Sequence, residues 1–310
     1  ADTGAIPSPP GSSCNSLYAA AIASALPRVP VLDGSKSACD WQSDPDSVQK
    51  GAIGPSRLPS LVRDDYVANM NDSYWLSNPA QPLTGFPAIL GPAGTEAVSF
   101  RTRLGNLLAQ GRLAGTDGYT GKFATSDAVR KMVLNSRVHT AELFKDAVLG
   151  MVCAAGPITV SGQSVDPAAA CAVLSAWDNT GVRTARGALL WDEFWTTASK
   201  TPGLFPNLYA VPFDPADPVH TPRGLKTDGS ITPAIQQAFG KAVLAVQASG
   251  YALDAQRGDY LYATRGGQKI GLFGGCGSQG YFTVACSGQA PGAQGGYNMD
   301  NDPNGHRYLQ

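Results

Sequence analysis

Side chains able to do chemistry are few in this sequence and lie far apart. Asn69, Asn71 and Asp72 stand together in YVANMNDSYW, residues 66–75, directly before two aromatic rings, Tyr74 and Trp75. Asn and Asp at such spacing hydrogen-bond their own backbone to make a turn, and large aromatics in an apolar loop either pack or wall a pocket. Arg101 and Arg103 head the pattern FRTRLGNLL. The three histidines, His139, His220 and His306, are too few and too widely spaced for a metal site. His139 falls in the helical pattern RVHTAELF and the others in proline- or glycine-containing loops, so all three read as structural or solvated. No GxSxG, HExxH or P-loop pattern occurs. GTDGYTGK, residues 115–122, lacks the preceding strand and the spacing of a phosphate loop, and Asp300, Asn301 and Asp302 read as a turn rather than a calcium loop. No metal and no cofactor are expected.

Six cysteines stand at 14, 39, 153, 171, 276 and 286, in three pairs separated by 25, 18 and 10 residues, and none has CxxC spacing. Loop closure is least costly for neighbours in sequence. The expected links are therefore Cys14 with Cys39, Cys153 with Cys171, and Cys276 with Cys286, which places the protein in an oxidising compartment, extracellular or periplasmic. Residues 1–13 have the composition of a loosely held terminus and no export signal opens the chain, so a signal is expected to have been removed earlier.

The elements that must position these residues follow from the spacing of apolar side chains. A first helix is predicted from about Asn15 to Leu26, stopped by Pro27. Gly/Pro/Ser/Asp-rich chain follows as far as Pro59, then a strand over Tyr66–Asn71 that delivers a loop rich in turn formers. From about Thr95, Ala97, Phe100, Leu104, Leu107 and Leu108 make one helical stripe. At about 100° per residue, Arg101 lies about 70° from the centre of that stripe and Arg103 about 90° on its other side. One long helix is expected from Thr125 or Ser126 through Phe144 toward Cys153. Others are expected from Asp166-Pro167 to near Asn179, over 184–199, and from Thr232-Pro233 to Gly250. After Gly250 the pattern turns to short β segments, YLYAT, KIGLF and YFTVAC. The organisation read here is a core-sheet segment over 1–94, a mainly helical lobe over 95–250, and a β-rich segment over 251–310 that returns to the core.

With 310 residues the chain can bury a sizeable core, and no apolar run approaches the ~18 to 20 residues of a membrane span. Twenty-three basic and 24 acidic residues are scattered and leave a net charge of -1. That excludes the clustered positive charge of a nucleic-acid binder, so neither nucleic acid nor membrane is an expected partner. Charged residues are only 15%, against about 25% in an average domain, and glycine and proline are abundant, which points to long, ordered, uncharged loops. A noncatalytic, disulfide-stapled extracellular binding module would also have this composition.

The segment YVANMNDSYWLSNPAQPLTGFPAILG, residues 66–91, resembles the β subunit of penicillin-acylase-type N-terminal nucleophile hydrolases, in the branch of acylhomoserine-lactone, aculeacin and cyclic-lipopeptide acylases. The resemblance continues through FRTRLGNLL, CAVLSAWDNTG and GLFGGCGSQGYFTVAC and covers nearly the whole chain. It implies an α+β fold, part of an αββα sandwich with a mainly helical lobe. It also implies hydrolysis of an acyl amide by a serine that heads the β subunit and uses its own α-amine as base. This chain starts at Ala1 and reads as a middle fragment, so the α subunit and the β segment bearing that serine are its expected partners. The small-molecule substrate is expected to carry an aliphatic acyl chain on a lipopeptide, homoserine lactone or penicillin-type head group.

By the same resemblance Asn71 matches the oxyanion-hole asparagine, a neutral N–H donor fixed where charge develops on the carbonyl oxygen. Arg101, and less favourably Arg103, match the arginine that orders the site and its substrate, while Tyr74 and Trp75 would wall an acyl pocket. Where the family places an acidic calcium ligand, the loop offers Gln81 and Pro82, so no metal is expected. Nonreducing peptide mapping should find the three neighbour links, each contributing about 2 to 4 kcal/mol; free thiols at all six positions would contradict both the pairing and the oxidising compartment.

Overall fold

Four helices in this chain begin at a hydroxyl cap or a proline, which satisfies or omits one of the first backbone N–H groups: those starting at Phe100, Ser126, Ala168 and Thr232. The computed structural model describes residues 16–25, 33–40, 44–49, 51–87, 90–286, 297–298 and 308–309. The chain divides into two units, Ala1–Thr95 and Glu96–Gln310. The readings made for residues 1–15, Cys14, the Asp300–Asp302 turn and His306 lie outside the described residues.

The first unit holds one α-helix, α1 (Leu17–Ala25), and short 3-10 turns at Ser37–Cys39, Pro55–Arg57 and Tyr74–Leu76. The strand expected over Tyr66–Asn71 is not formed. A strand exists only when a neighbour takes up its alternating N–H and C=O groups, and no strand occurs among the described residues of this unit. Instead, Ala68 N–H donates to Ser77 O at 2.8 Å, closing the loop on itself.

The second unit begins with α2 (Phe100–Ala114). Ser99 caps it, its Oγ accepting from Thr102 N at 3.2 Å. The stripe therefore starts later than the expected Thr95, and Ala97 is exposed outside the helix. Thr125 caps α3 (Ser126–Asn135), and α4 follows over His139–Val152. The single long helix read from the sequence is broken at 136–138 because distant loops claim that backbone. Ser136 is left-handed at φ 45°. Val138 N donates to Asn179 O at 2.9 Å and Gly181 N to Ser136 O at 2.8 Å. Arg137 bridges Thr180 and Val138 bridges Tyr281.

The remaining helices are α5 (Ala168–Ala176), α6 (Ala188–Ser199), α7 (Thr232–Ala248) and the single turn α8 (Arg257–Tyr260). Asp166 Oδ1 accepts from Ala168 N at 2.9 Å at the start of α5. The strands are short: β1 (Ile158–Val160) pairs with β2 (Gln163–Val165), β3 (Tyr209–Val211) with β4 (Arg223–Leu225), and β5 (Leu261–Arg265) with β6 (Gln268–Gly271), all antiparallel. The expected strand YFTVAC reduces to β7 (Ala285–Cys286), with isolated bridges at Tyr281 and Val284. Two-residue strands β8 (Tyr297–Asn298) and β9 (Tyr308–Leu309) complete the pairing with β5 and β7. The observed mix of helices and small sheets is α+β.

The core of the second unit gathers where α6 lies along α7, with α4 and β1 also against α7. Aromatic rings fill it. Phe144 and Trp195 stack with centroids 5.2 Å apart, Trp191 stacks on Trp195 at 6.0 Å, and Phe100 and Phe205 meet Trp195 edge-on. Cys153 is linked to Cys171, tying the end of α4 to α5, and Cys276 is linked to Cys286.

Inside this core sits an ion pair. Asp192 on α6 and Arg257 on α8 are each 1% exposed, and Arg257 Nη1 donates to Asp192 Oδ2. The Tyr281 hydroxyl donates to Asp192 Oδ1 at 2.7 Å, and Arg257 Nε donates to Gly274 O at 2.8 Å. The guanidinium lies over the Tyr281 ring, 4.7 Å from its centroid. Burial pushes the Asp192 carboxyl above its usual range, and the Arg257 charge acts against that shift. Arg257→Ala should leave this carboxylate buried without its counter-charge and lower stability by about 3 to 5 kcal/mol. An unchanged denaturation midpoint would contradict the pairing.

Candidate functional site

In the first unit, Asn71 closes a turn. Its backbone N–H donates to Asn69 Oδ1 at 2.9 Å, and its φ of 57° is the left-handed conformation that asparagine tolerates better than most residues. The turn expected from this Asx cluster is thus present, and the bond that makes it uses the carboxamide of Asn69 and the main chain of Asn71. The Asn71 residue is exposed. Asp72 Oδ1 accepts from Ser73 N at 2.9 Å, which starts the next turn.

Ser73 then caps the 3-10 turn Tyr74–Leu76, its Oγ accepting from Trp75 N at 3.2 Å and donating to Pro92 O. Gly91 lies against it: a Cβ there would fall 2.8 Å from Ser73 Cβ, at a φ of 114° that only glycine adopts comfortably. Trp75 is 4% exposed, its carbonyl accepting from Leu83 N at 2.9 Å, whereas Tyr74 is 37% exposed and meets Phe86 edge-on. Trp75 therefore fixes the loop from below, and Tyr74 stays at its surface.

Asn78, which the sequence reading passed over, ties the loop to the chain before it. Its buried amide donates to Tyr66 O at 2.9 Å and Asp65 Oδ1 at 3.1 Å, while its oxygen accepts from Ala80 N. The Arg63 guanidinium, bonded through Nε and Nη2, holds the Asp65 carboxyl well below the usual range. The only advance signal was an asparagine before proline in a run of turn formers.

In the second unit the two arginines of α2 have different surroundings. Arg103 is 1% exposed, donates from Nε to Val219 O at 2.8 Å and from Nη1 to Pro222 O at 2.9 Å, and lies over the Phe100 ring. Burial pushes its pKa down to about 10, so it stays protonated at neutral pH. Arg101 is half-buried, and its Nε donates to Phe282 O at 3.2 Å. The helical stripe placed Arg103 farther from the core than Arg101, yet Arg103 is the more buried, because the chain at Val219–Pro222 covers that face of α2 and offers carbonyls to a cation.

His139, at the head of α4, is buried, which lowers its pKa; Glu142 Oε2 lies 3.1 Å from its Nδ1. Glu142 also takes two bonds from Arg137 and titrates at about 2, these partners outweighing its burial. His220 is exposed beside Asp217. Among the described residues no group of three or more His, Cys, Asp or Glu side chains is placed to hold a metal ion. No described helix is long and apolar enough to cross a membrane.

The family described as penicillin amidase matches residues 2–273. Aculeacin-A acylase of Actinoplanes utahensis is 39% identical over 84% of this chain and 32% of its own length. Acyl-homoserine lactone acylases PvdQ of two Pseudomonas fluorescens strains, Pf0-1 and Pf-5, are 32% and 33% identical over 82% and 86% of this chain and 31% and 32% of theirs. The chain thus spans about a third of the length of these relatives. Since the match runs unbroken from the first unit, through the Asn69–Asn71 turn and α2, to the β5–β6 hairpin, the chain belongs to the penicillin amidase family.

Proposed function

We propose that this chain is part of the β subunit of an acylase that hydrolyses a linear acyl amide, its nucleophile being an N-terminal serine carried on another chain. The serine hydroxyl attacks the amide carbonyl while its own α-amine takes the proton through a water. The carbonyl oxygen becomes an oxyanion, and the Asn71 carboxamide N–H donates to it; a backbone N–H outside this chain is the second donor. Collapse of the intermediate expels the amine, which takes the proton back from the α-ammonium through the same water; a second water then attacks the acyl–serine ester, releasing the carboxylic acid and restoring the serine hydroxyl.

The observation that best supports this reading is the loop at Asn71: an exposed asparagine on a turn closed through the Asn69 carboxamide, in a loop held by buried Trp75 and Asn78. Oxyanion donors are useful when fixed before charge develops, and this anchoring supplies that. Of the two arginines, Arg101 is the better candidate for ordering substrate, since the Arg103 guanidinium is buried against two carbonyls. The names of the relatives suit an acyl amide such as that of aculeacin A or an acyl-homoserine lactone; an aliphatic acyl chain on a lipopeptide, homoserine lactone or penicillin-type head group is the substrate this reading adds. An αββα sandwich completed by the other chains, and an extracellular or periplasmic location that keeps Cys153–Cys171 and Cys276–Cys286 oxidised, belong to the same proposal.

In the full-length acylase, with an aliphatic amide at saturation, Asn71→Ala should lower kcat by about 10² to 10³, or ~2.7 to 4 kcal/mol of barrier, with little change in stability. Asn69→Ala, which removes the turn bond, should lower stability first. A folded Asn71→Ala enzyme keeping more than about a third of wild-type kcat would refute the oxyanion role of Asn71, whereas a full-length protein without any amidase activity would favour the noncatalytic binding module.

A further inference from the structure

The loop closed by Cys276–Cys286, a separation of 10 residues, bonds to α2, α3, α4 and α6. Arg101 Nε donates to the carbonyl of Phe282 in this loop. Gly277 lies under the arginine stem, where a Cβ would stand 3.4 Å from Arg101 Cδ. The backbone that presents the Phe282 carbonyl is held on every side. Gly280 O accepts from His139 N at 3.0 Å and Gln279 O from Thr140 Oγ1, both at the start of α4. Gln279 Nε2 donates to Thr196 Oγ1 on α6 at 3.1 Å, and Thr283 Oγ1 to Val133 O on α3 at 2.7 Å.

Tyr281, next to Phe282, is the deepest of these anchors. Its ring passes between two glycines: a Cβ at Gly181 would fall 2.4 Å from it and one at Gly275 2.3 Å. Its hydroxyl ends on the buried Asp192 carboxylate. A phenol seated between two Cβ-free residues and bonded to a buried charge has one position available to it. Its neighbour's carbonyl inherits that position, and with it the Arg101 side chain.

We propose that the Cys276–Cys286 loop, keyed into Asp192 by Tyr281, is the positioning element for Arg101, and that Tyr281 is a positioning residue for substrate ordering by that arginine. This rests on the reading of Arg101 as the substrate-ordering arginine. A side chain displaced by about 1 Å can cost on the order of a hundredfold in rate. Losing the Tyr281 hydroxyl should lower stability through Asp192, and its effect on the reaction should pass through Arg101.

The test is a double-mutant cycle in the full-length acylase on an aliphatic amide substrate, reading kcat and KM separately for Arg101→Ala, Tyr281→Phe and their combination. Tyr281→Phe should lower kcat/KM by about 10- to 100-fold, divided between kcat and KM as the loss from Arg101→Ala is divided. In the Arg101→Ala background it should cost less than about twofold. Equal losses in both backgrounds would overturn the positioning role and leave Tyr281 as packing only, with the Arg101 reading intact. Wild-type kinetics in Arg101→Ala would overturn the Arg101 reading itself and the proposal with it. If Tyr281→Phe fails to fold, the paired Cys276→Ala and Cys286→Ala substitution, which opens the loop and keeps the Tyr281–Asp192 bond, enters the same cycle; equal losses in both backgrounds would then overturn the loop as the positioning element for Arg101.

Discussion

A carboxylate, a guanidinium and two phenol rings occupy one site that water does not reach, and much of the second unit is arranged around the need to keep them paired. Removing an ion from water costs several kcal/mol even after relaxation, so Asp192 and Arg257 persist only because each is bonded further. Asp192 takes the Tyr281 hydroxyl, and Arg257 donates to Gly274 O and to the Tyr260 hydroxyl at 3.0 Å. Those bonds fix where α6, α8 and the chain at 274–281 meet. A hydrophobic replacement could match the burial, but it would not dictate the orientation of Tyr281.

Orientation passes outward from that cluster through short steps. Tyr281 carries the Cys276–Cys286 loop; the loop's carbonyls accept from the first residues of α4 and from Arg101, and its Val138–Tyr281 bridge helps divide α3 from α4. The interruption in the long helix is therefore where a distant loop docks, the same loop that meets Arg101 of α2. The first unit solves a smaller problem by similar means. Asn78 and Trp75 hold a loop that has no sheet of its own among the described residues, so the Asn69–Asn71 turn keeps a defined shape.

Membership of the penicillin amidase family gives these devices a chemical context. An amide hydrolase needs donors that stand ready before charge appears, because donors that reorganise during the reaction lose part of their effect. The turn at Asn71 is made by a bond between near neighbours, and Arg101 meets a carbonyl 181 residues away. The first uses residues within ten positions of each other; the second spans most of the unit.

Local signals in the sequence were sufficient for what depends on neighbours. Capping hydroxyls and prolines placed the helix starts near Ser126, Ala168 and Thr232, the 18- and 10-residue cysteine spacings matched the two links described, and Asn69, Asn71 and Asp72 marked a turn. The tertiary structure alone decided the rest. It removed the strand at Tyr66–Asn71, broke the helix at Ser136, buried Arg103 in place of Arg101, and joined Tyr281 to Asp192. The reason is distance along the chain: Arg103 finds its carbonyl 116 residues away and Tyr281 its carboxylate 89 residues away. Helical periodicity reports which face of a helix is apolar, but a buried polar group is decided by whatever folds over it to supply a partner.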